Sequence, residues 1–116
     1  MKIKLIALSF LIVATAFADL QMQMDPNETK FMQNMNVKMK QMEKDMAAPM
    51  SGNVDRDFVI MMLPHHKGAV DMAQGELSYG KDPDMRKLAQ EIVDNQNAEI
   101  ALMKKWLKKH PAMQRM

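Results

Sequence analysis

From residue 31 onward, apolar residues recur at helical intervals. Phe31, Met35, Met39, Met42 and Met46 follow at spacings of 4, 4, 3 and 4, which is one apolar stripe of an α-helix. Asp25-Pro26-Asn27-Glu28 predicts where that helix starts. Asp25 is the N-cap, Pro26 sits in the first turn and Glu28 holds the capping-box position. The stretch from Ala47 to Asn53, with Pro49 and Gly52, breaks the pattern. A second helix is predicted from Asn53 or Asp55 to about Tyr79, and Gly80-Lys81-Asp82-Pro83 stops it. A third helix carries Leu88, Ile92, Ile100, Met103 and Leu107 inward and ends at His110-Pro111. No segment shows the alternation of a strand. The pattern predicts an all-α chain, with three helices in a compact antiparallel bundle over residues 26–110.

The first 18 residues follow another pattern. Lys2 and Lys4 precede an uncharged run from Leu5 to Ala18 that ends in Ala16-Phe17-Ala18. A basic start, a short apolar core and a small-x-small end describe a signal peptide cut before Asp19. The expected product is periplasmic or secreted, with no membrane insertion after cleavage. Residues 19–25 read as a mobile arm. Removing Lys2 and Lys4 from the 16 basic residues leaves 14, against 14 acidic ones. A neutral chain has little electrostatic drive toward nucleic acid, so no nucleic-acid partner is expected.

Composition then changes the picture. There is no cysteine, so no thiolate is available for metal, redox or nucleophilic chemistry. Beyond the leader the chain has 15 methionines (16 less Met1) and only 6 leucines. Leucine is ordinarily among the commonest residues. Methionine specifies a core poorly because its side chain is flexible, so packing alone does not account for the inversion.

The chemistry concentrates in "MMLPHHKGAVDMA", residues 61–73. Side chains four apart share a helix face, which places Met61 by His65 and Met62 by His66. Met72 lies two turns beyond His65, and Phe58, Ala69 and Glu76 share that stripe. Pro64, inside the helix, predicts a kink. Ala69 and Ala73 are small enough to admit another helix closely. On the third helix Glu99 and Met103 are again four apart, with Gln96 and Trp106 flanking them. A carboxylate on a mostly inward face needs a partner, and a histidine or a metal could supply it.

"MLPHHKGAVDMA" and "DPDMRKLAQEIVDNQNAEIALMKKWL" together resemble the bacterial family called domain of unknown function 305. Its better understood members are CopM-like periplasmic copper-binding proteins. Met62, Pro64, His65, His66, Ala69, Met72 and Ala73 match the first family motif. Gln96, Glu99, Ile100, Met103 and Trp106 match the second. The resemblance is close over residues 54–108 and reaches the first helix only by composition. It implies a ferritin-like antiparallel helical bundle and copper binding. The chain is short for the family, so a fuller bundle would require a homodimer. Methionine-rich faces can serve as such an interface.

The donor types agree with copper independently. Thioethers are soft and suit Cu(I) and Ag(I), and imidazole tolerates both copper oxidation states. Met61, Met62, His65, His66, Met72, Glu99 and Met103 are the candidate metal residues, with copper, chiefly Cu(I), as the ion. Zinc fits poorly with three histidines and no cysteine. A di-iron centre would need Glu-x-x-His, which does not occur. Asp19-Leu20-Gln21 lacks the third-position histidine of an amino-terminal Cu(II) site.

Blander readings stand beside these. The first-helix stripe reads as core, while Met22, Met24, Met32 and Met50 lie off it as extra thioethers. Either histidine alone would read as an ordinary bundle histidine. His110 reads as a helix-end charge, Trp106 as a core anchor, and Lys104, Lys105, Lys108 and Lys109 as a solvated face. Three function classes stay open. They are a copper buffer, chaperone or resistance factor with a copper-transfer partner unknown, a structural or interaction module, and a methionine-based oxidant sink. No nucleophile stands in a recognisable motif, so no enzyme activity is expected.

Overall fold

The computed structural model describes residues 25–112. The expected signal peptide, and the arm apart from Asp25, lie outside the described residues. Three helices form the described chain: α1 (Pro26–Met46), α2 (Val54–Tyr79) and α3 (Pro83–Lys109). They pack antiparallel. Among the described residues no helix is long and apolar enough to cross a membrane.

Each helix start is capped, and Asp25 is the cap the sequence predicts, with one difference. Asp25 accepts from the backbone N–H of Asn27 at 2.8 Å. That satisfies one free donor of the first turn, but no return bond from Glu28 is seen among the described residues, so the capping box is half formed. Asn53 caps α2 by accepting from Arg56 N at 2.9 Å. Asp82 caps α3 by accepting from Asp84 N and Met85 N, both at 3.0 Å. Gly52 supplies the left-handed residue of the α1–α2 loop, at φ +85°. At the α2–α3 turn Arg86 donates to the carbonyls of Leu77 and Gly80, at 2.7 and 3.1 Å. These acceptors belong to the last turn of α2 and the turn beyond it, where intrahelical donors run out. Pro64 does not end α2, whose helical hydrogen bonding continues on both sides of it.

The bundle is more open than expected. α2 packs on both other helices, but α1 and α3 do not pack on each other. Val59 and Val70 of α2 form the core with Ile100 and Met103 of α3, and Met62, Leu63, Val93, Trp106 and Leu107 surround them. Fully burying such an aliphatic side chain contributes about 1.5–3 kcal/mol. Leu88 departs from its predicted inward place: it is 47% exposed. It lies on the flank of α3 that a closed bundle would have covered with α1.

The close approach of α1 is made at two glycines of α2. A Cβ on Gly68 would stand 2.5 Å from the Met42 sulfur, and one on Gly75 would stand 2.8 Å from the Phe31 ring. Gly68 and Gly75 are two turns apart on one side of α2, so they make a notch into which the apolar stripe of α1 settles. Met35 is the buried residue of that stripe, and Phe31, Met39, Met42 and Met46 are half-buried. The stripe is therefore core, as its periodicity predicts, though three of its methionines, Met39, Met42 and Met46, also border open space.

Candidate metal centre

His65 and His66 are adjacent in sequence but point to different surroundings, because successive residues of a helix turn by roughly 100°. Their ring centroids are 6.3 Å apart and the planes are inclined by 58°.

His66 faces α3. Its Nε2 bonds to the Glu99 carboxylate, so Nε2–H donates and Nδ1 carries the lone pair when the ring is neutral. The His66 side chain is 12% exposed, whereas that of Glu99 is 57% exposed. The expected inward placement of Glu99 is therefore not found, but its expected histidine partner is. Such an exposed carboxylate needs no metal to satisfy it. Two buried polar atoms on this side have no partner, His66 Nδ1 and Gln96 Oε1. A carboxylate holding one ring nitrogen while the other is free is the arrangement that orients metal-bound histidines.

His65 is exposed and faces the side of α2 that neither neighbour covers. It borders two adjoining hollows. One, of about 180 Å³, is lined by Met46, Phe58, Met61, Met62 and His65. The other, of about 370 Å³, runs along α2 past Gly68, Ala69 and Met72, between Met39 and Met42 of α1 and Met85 and Leu88 of α3. His65 is thus the imidazole of an otherwise thioether-rich wall. Met61 and Met72 are each about half exposed, at 48% and 49%.

The seven predicted residues accordingly divide. Met61, Met62, His65 and Met72 share the open side. His66 and Glu99 pair between α2 and α3. Met103 is buried in the core cluster. Met62 belongs to both regions, since it lines the smaller hollow and packs against that cluster. The sequence reading missed Met46, Met42, Met39 and Met85 as neighbours of His65. A signal for Met46 was present: antiparallel helices joined by a short loop bring the end of the first beside the start of the second. Among the described residues, no three His, Asp or Glu side chains are placed to hold a metal ion.

The far end of the molecule is structural. His110 caps α3, its Nδ1–H donates to the Trp106 carbonyl at 2.8 Å, and its ring stacks on Trp106 with centroids 4.0 Å apart. Arg56 Nη1 donates to the His110 carbonyl and ties the start of α2 to the end of α3. Ser51 donates to Asp57 Oδ1 from both its hydroxyl, at 2.6 Å, and its backbone N–H, at 2.9 Å. The two bonds hold the Asp57 carboxyl below the usual carboxylate range.

The family model described as "Domain of unknown function (DUF305)" matches residues 13–107. The chain belongs to the DUF305 family. The match takes in α1, α2 and nearly all of α3, so the first helix is part of the domain and not an addition to it. No curated protein matches the chain.

Proposed function

We propose that this DUF305 protein is an exported binder of Cu(I), and of Ag(I) by the same softness, acting in copper buffering, transfer or resistance. The observation that carries the reading is the position of His65. One imidazole stands between Met46, Met61 and Met62 on one side and Met42 and Met72 on the other. Thioethers with an imidazole are a donor set for a soft monovalent ion, and thiolates are absent. Met61, Met62 and His65 are the proposed ligands of one ion, with Met46 beside them, and Met72 offers a thioether in the second hollow on the other side of His65. His66, held by Glu99, positions this stretch of α2, and Met103 acts through packing. The bundle is read as ferritin-like on its motifs, and the location as periplasmic or secreted on the leader. The protein stores or passes an ion and catalyses no reaction.

A methionine-based oxidant sink is the second reading, favoured by the exposure of Met32, Met50, Met61, Met72 and Met85. Competitive titration of the purified protein with Cu(I), Ag(I) and Zn(II) tests the proposal. Soft ions binding well above zinc, at a site weakened by His65→Ala, is the expected result. Zinc binding equal or tighter would overturn it. Soft-ion binding indifferent to His65 would move the reading to dispersed methionines and an oxidant sink.

A further inference from the structure

α2 has two sides that neither α1 nor α3 covers, and they differ in kind. One presents Lys67, Gln74 and Ser78, which are solvated polar groups. The other presents Phe58, Met61, His65 and Met72, all exposed, and continues onto Met85 and Leu88 of α3. We propose that this second side is an interface with a second copy of the same chain.

Area favours this occupant. Phe58, Met61, Met72, Met85 and Leu88 are each 47–57% exposed. On side chains of roughly 200 Å² this leaves about 500 Å² of apolar surface in one face. A standard interface removes about 800 Å² from each partner, and roughly 60% of that is apolar. The face therefore matches one partner's share, and it approaches the upper end of what a monomer ordinarily leaves open. A two-fold axis presents the same patch from both copies, so the patch needs no other complement. Charge does not oppose pairing: beyond the leader the chain has 14 basic and 14 acidic residues, and a neutral chain has little self-repulsion. The described chain leaves room for a second layer because α1 and α3 do not close over α2.

The inference rests on packing and not on the metal reading, and the two fail separately. Sedimentation equilibrium of the purified, exported protein without metal, from about 1 to 200 µM, is the test. A reversible dimer with a dissociation constant in the micromolar range is expected. Leu88→Lys and Met85→Lys should each raise that constant at least about tenfold, because each puts a charge into a desolvated face. Val37→Lys, on an exposed position on the far side of α1, should leave it unchanged. Circular dichroism checks that each variant is folded. Phe58→Lys replaces any variant that is not. A monomer throughout the range overturns the proposal, as does a dimer indifferent to the face variants or equally sensitive to Val37→Lys. Ag(I) binding by a folded monomer would leave the proposed function standing, and a dimer without Ag(I) binding would remove that function and keep the interface.

Discussion

The two long sides of α2 solve different problems with neighbouring residues. Toward α3 the helix presents Val59, His66 and Val70, and each is matched: the valines by Ile100 and Met103, the histidine by Glu99. Toward the open side it presents Phe58, His65 and Met72, and these are left exposed beside more methionines. A one-residue step in sequence separates the two histidines, yet one is engaged and the other is free. Adjacent histidines in a helix thus have different surroundings, and the proposed ligand set is the one around the exposed His65.

The strongest way to break this comparison is to delete the histidines one at a time. His65→Ala should weaken Ag(I) or Cu(I) binding by about 100-fold, as expected for loss of the only nitrogen donor in a thioether set. His66→Ala should cost about tenfold or less, the lower end of what orienting residues contribute. A chelator competition titration reads both. Equal losses would mean that the two sides act as one site.

The pH profile sharpens the same point. A thioether has no proton to lose, whereas an imidazole must be neutral to bind, and free imidazole protonates near pH 6.5. With a single histidine ligand, affinity should fall on acidification, approaching about tenfold per unit once the proton competes for the nitrogen. A fall of about a hundredfold per unit would bring in His66. No fall between pH 8 and pH 5 would leave the methionines to bind alone.

The packed side of α1 gives a smaller effect. Gly75→Ala gains about 1 kcal/mol of helix propensity, but its Cβ must displace the Phe31 ring and the Met35 methyl, which stand 2.8 and 3.2 Å away. Overpacking costs about 1–3 kcal/mol. We expect a net loss of about 1 kcal/mol in urea unfolding. Gly68→Ala meets the sulfur and Cγ of Met42, at 2.5 and 3.2 Å, and should cost a similar amount.

Asp57 gives the smallest effect. Its carboxyl is held low by the Ser51 hydroxyl and backbone N–H. A carboxyl lowered by folding adds stability above its unfolded value, near pH 3.9, and that increment is lost as the pH falls through the lower folded value. Asp57→Asn should lower stability slightly at pH 7 and leave it nearly unchanged in acid, which flattens the acid side of the stability profile measured by thermal unfolding.

The helices were legible in the sequence because their signals are local. Asp25, Asn53 and Asp82 mark starts, Gly80 and Pro111 mark stops, and the stripe of Phe31 to Met46 marks a buried face. The openness of the bundle was not legible. Periodicity says that Leu88 lies on an apolar stripe, but not whether a third helix will cover that stripe. Gly68 and Gly75 were missed because a notch is defined by the partner that enters it. The site was half legible: spacing of four put Met61 with His65, while Met46 and Met42 arrive from another helix. Glu99 found its histidine, but its exposure depends on how far α3 rolls on α2, which no spacing reports.

One measurement addresses the contrast between the two sides directly. Ag(I) is diamagnetic, so it can be added stepwise to protein labelled at the methionine methyls and histidine rings while both are followed by NMR. The first equivalent should shift Met46, Met61 and Met62 together with His65, and leave Met35, Met103 and His66 in place. First shifts at His66 and Met103, with Met61 and His65 unmoved, would contradict the assignment of the soft-metal site to the open side of α2.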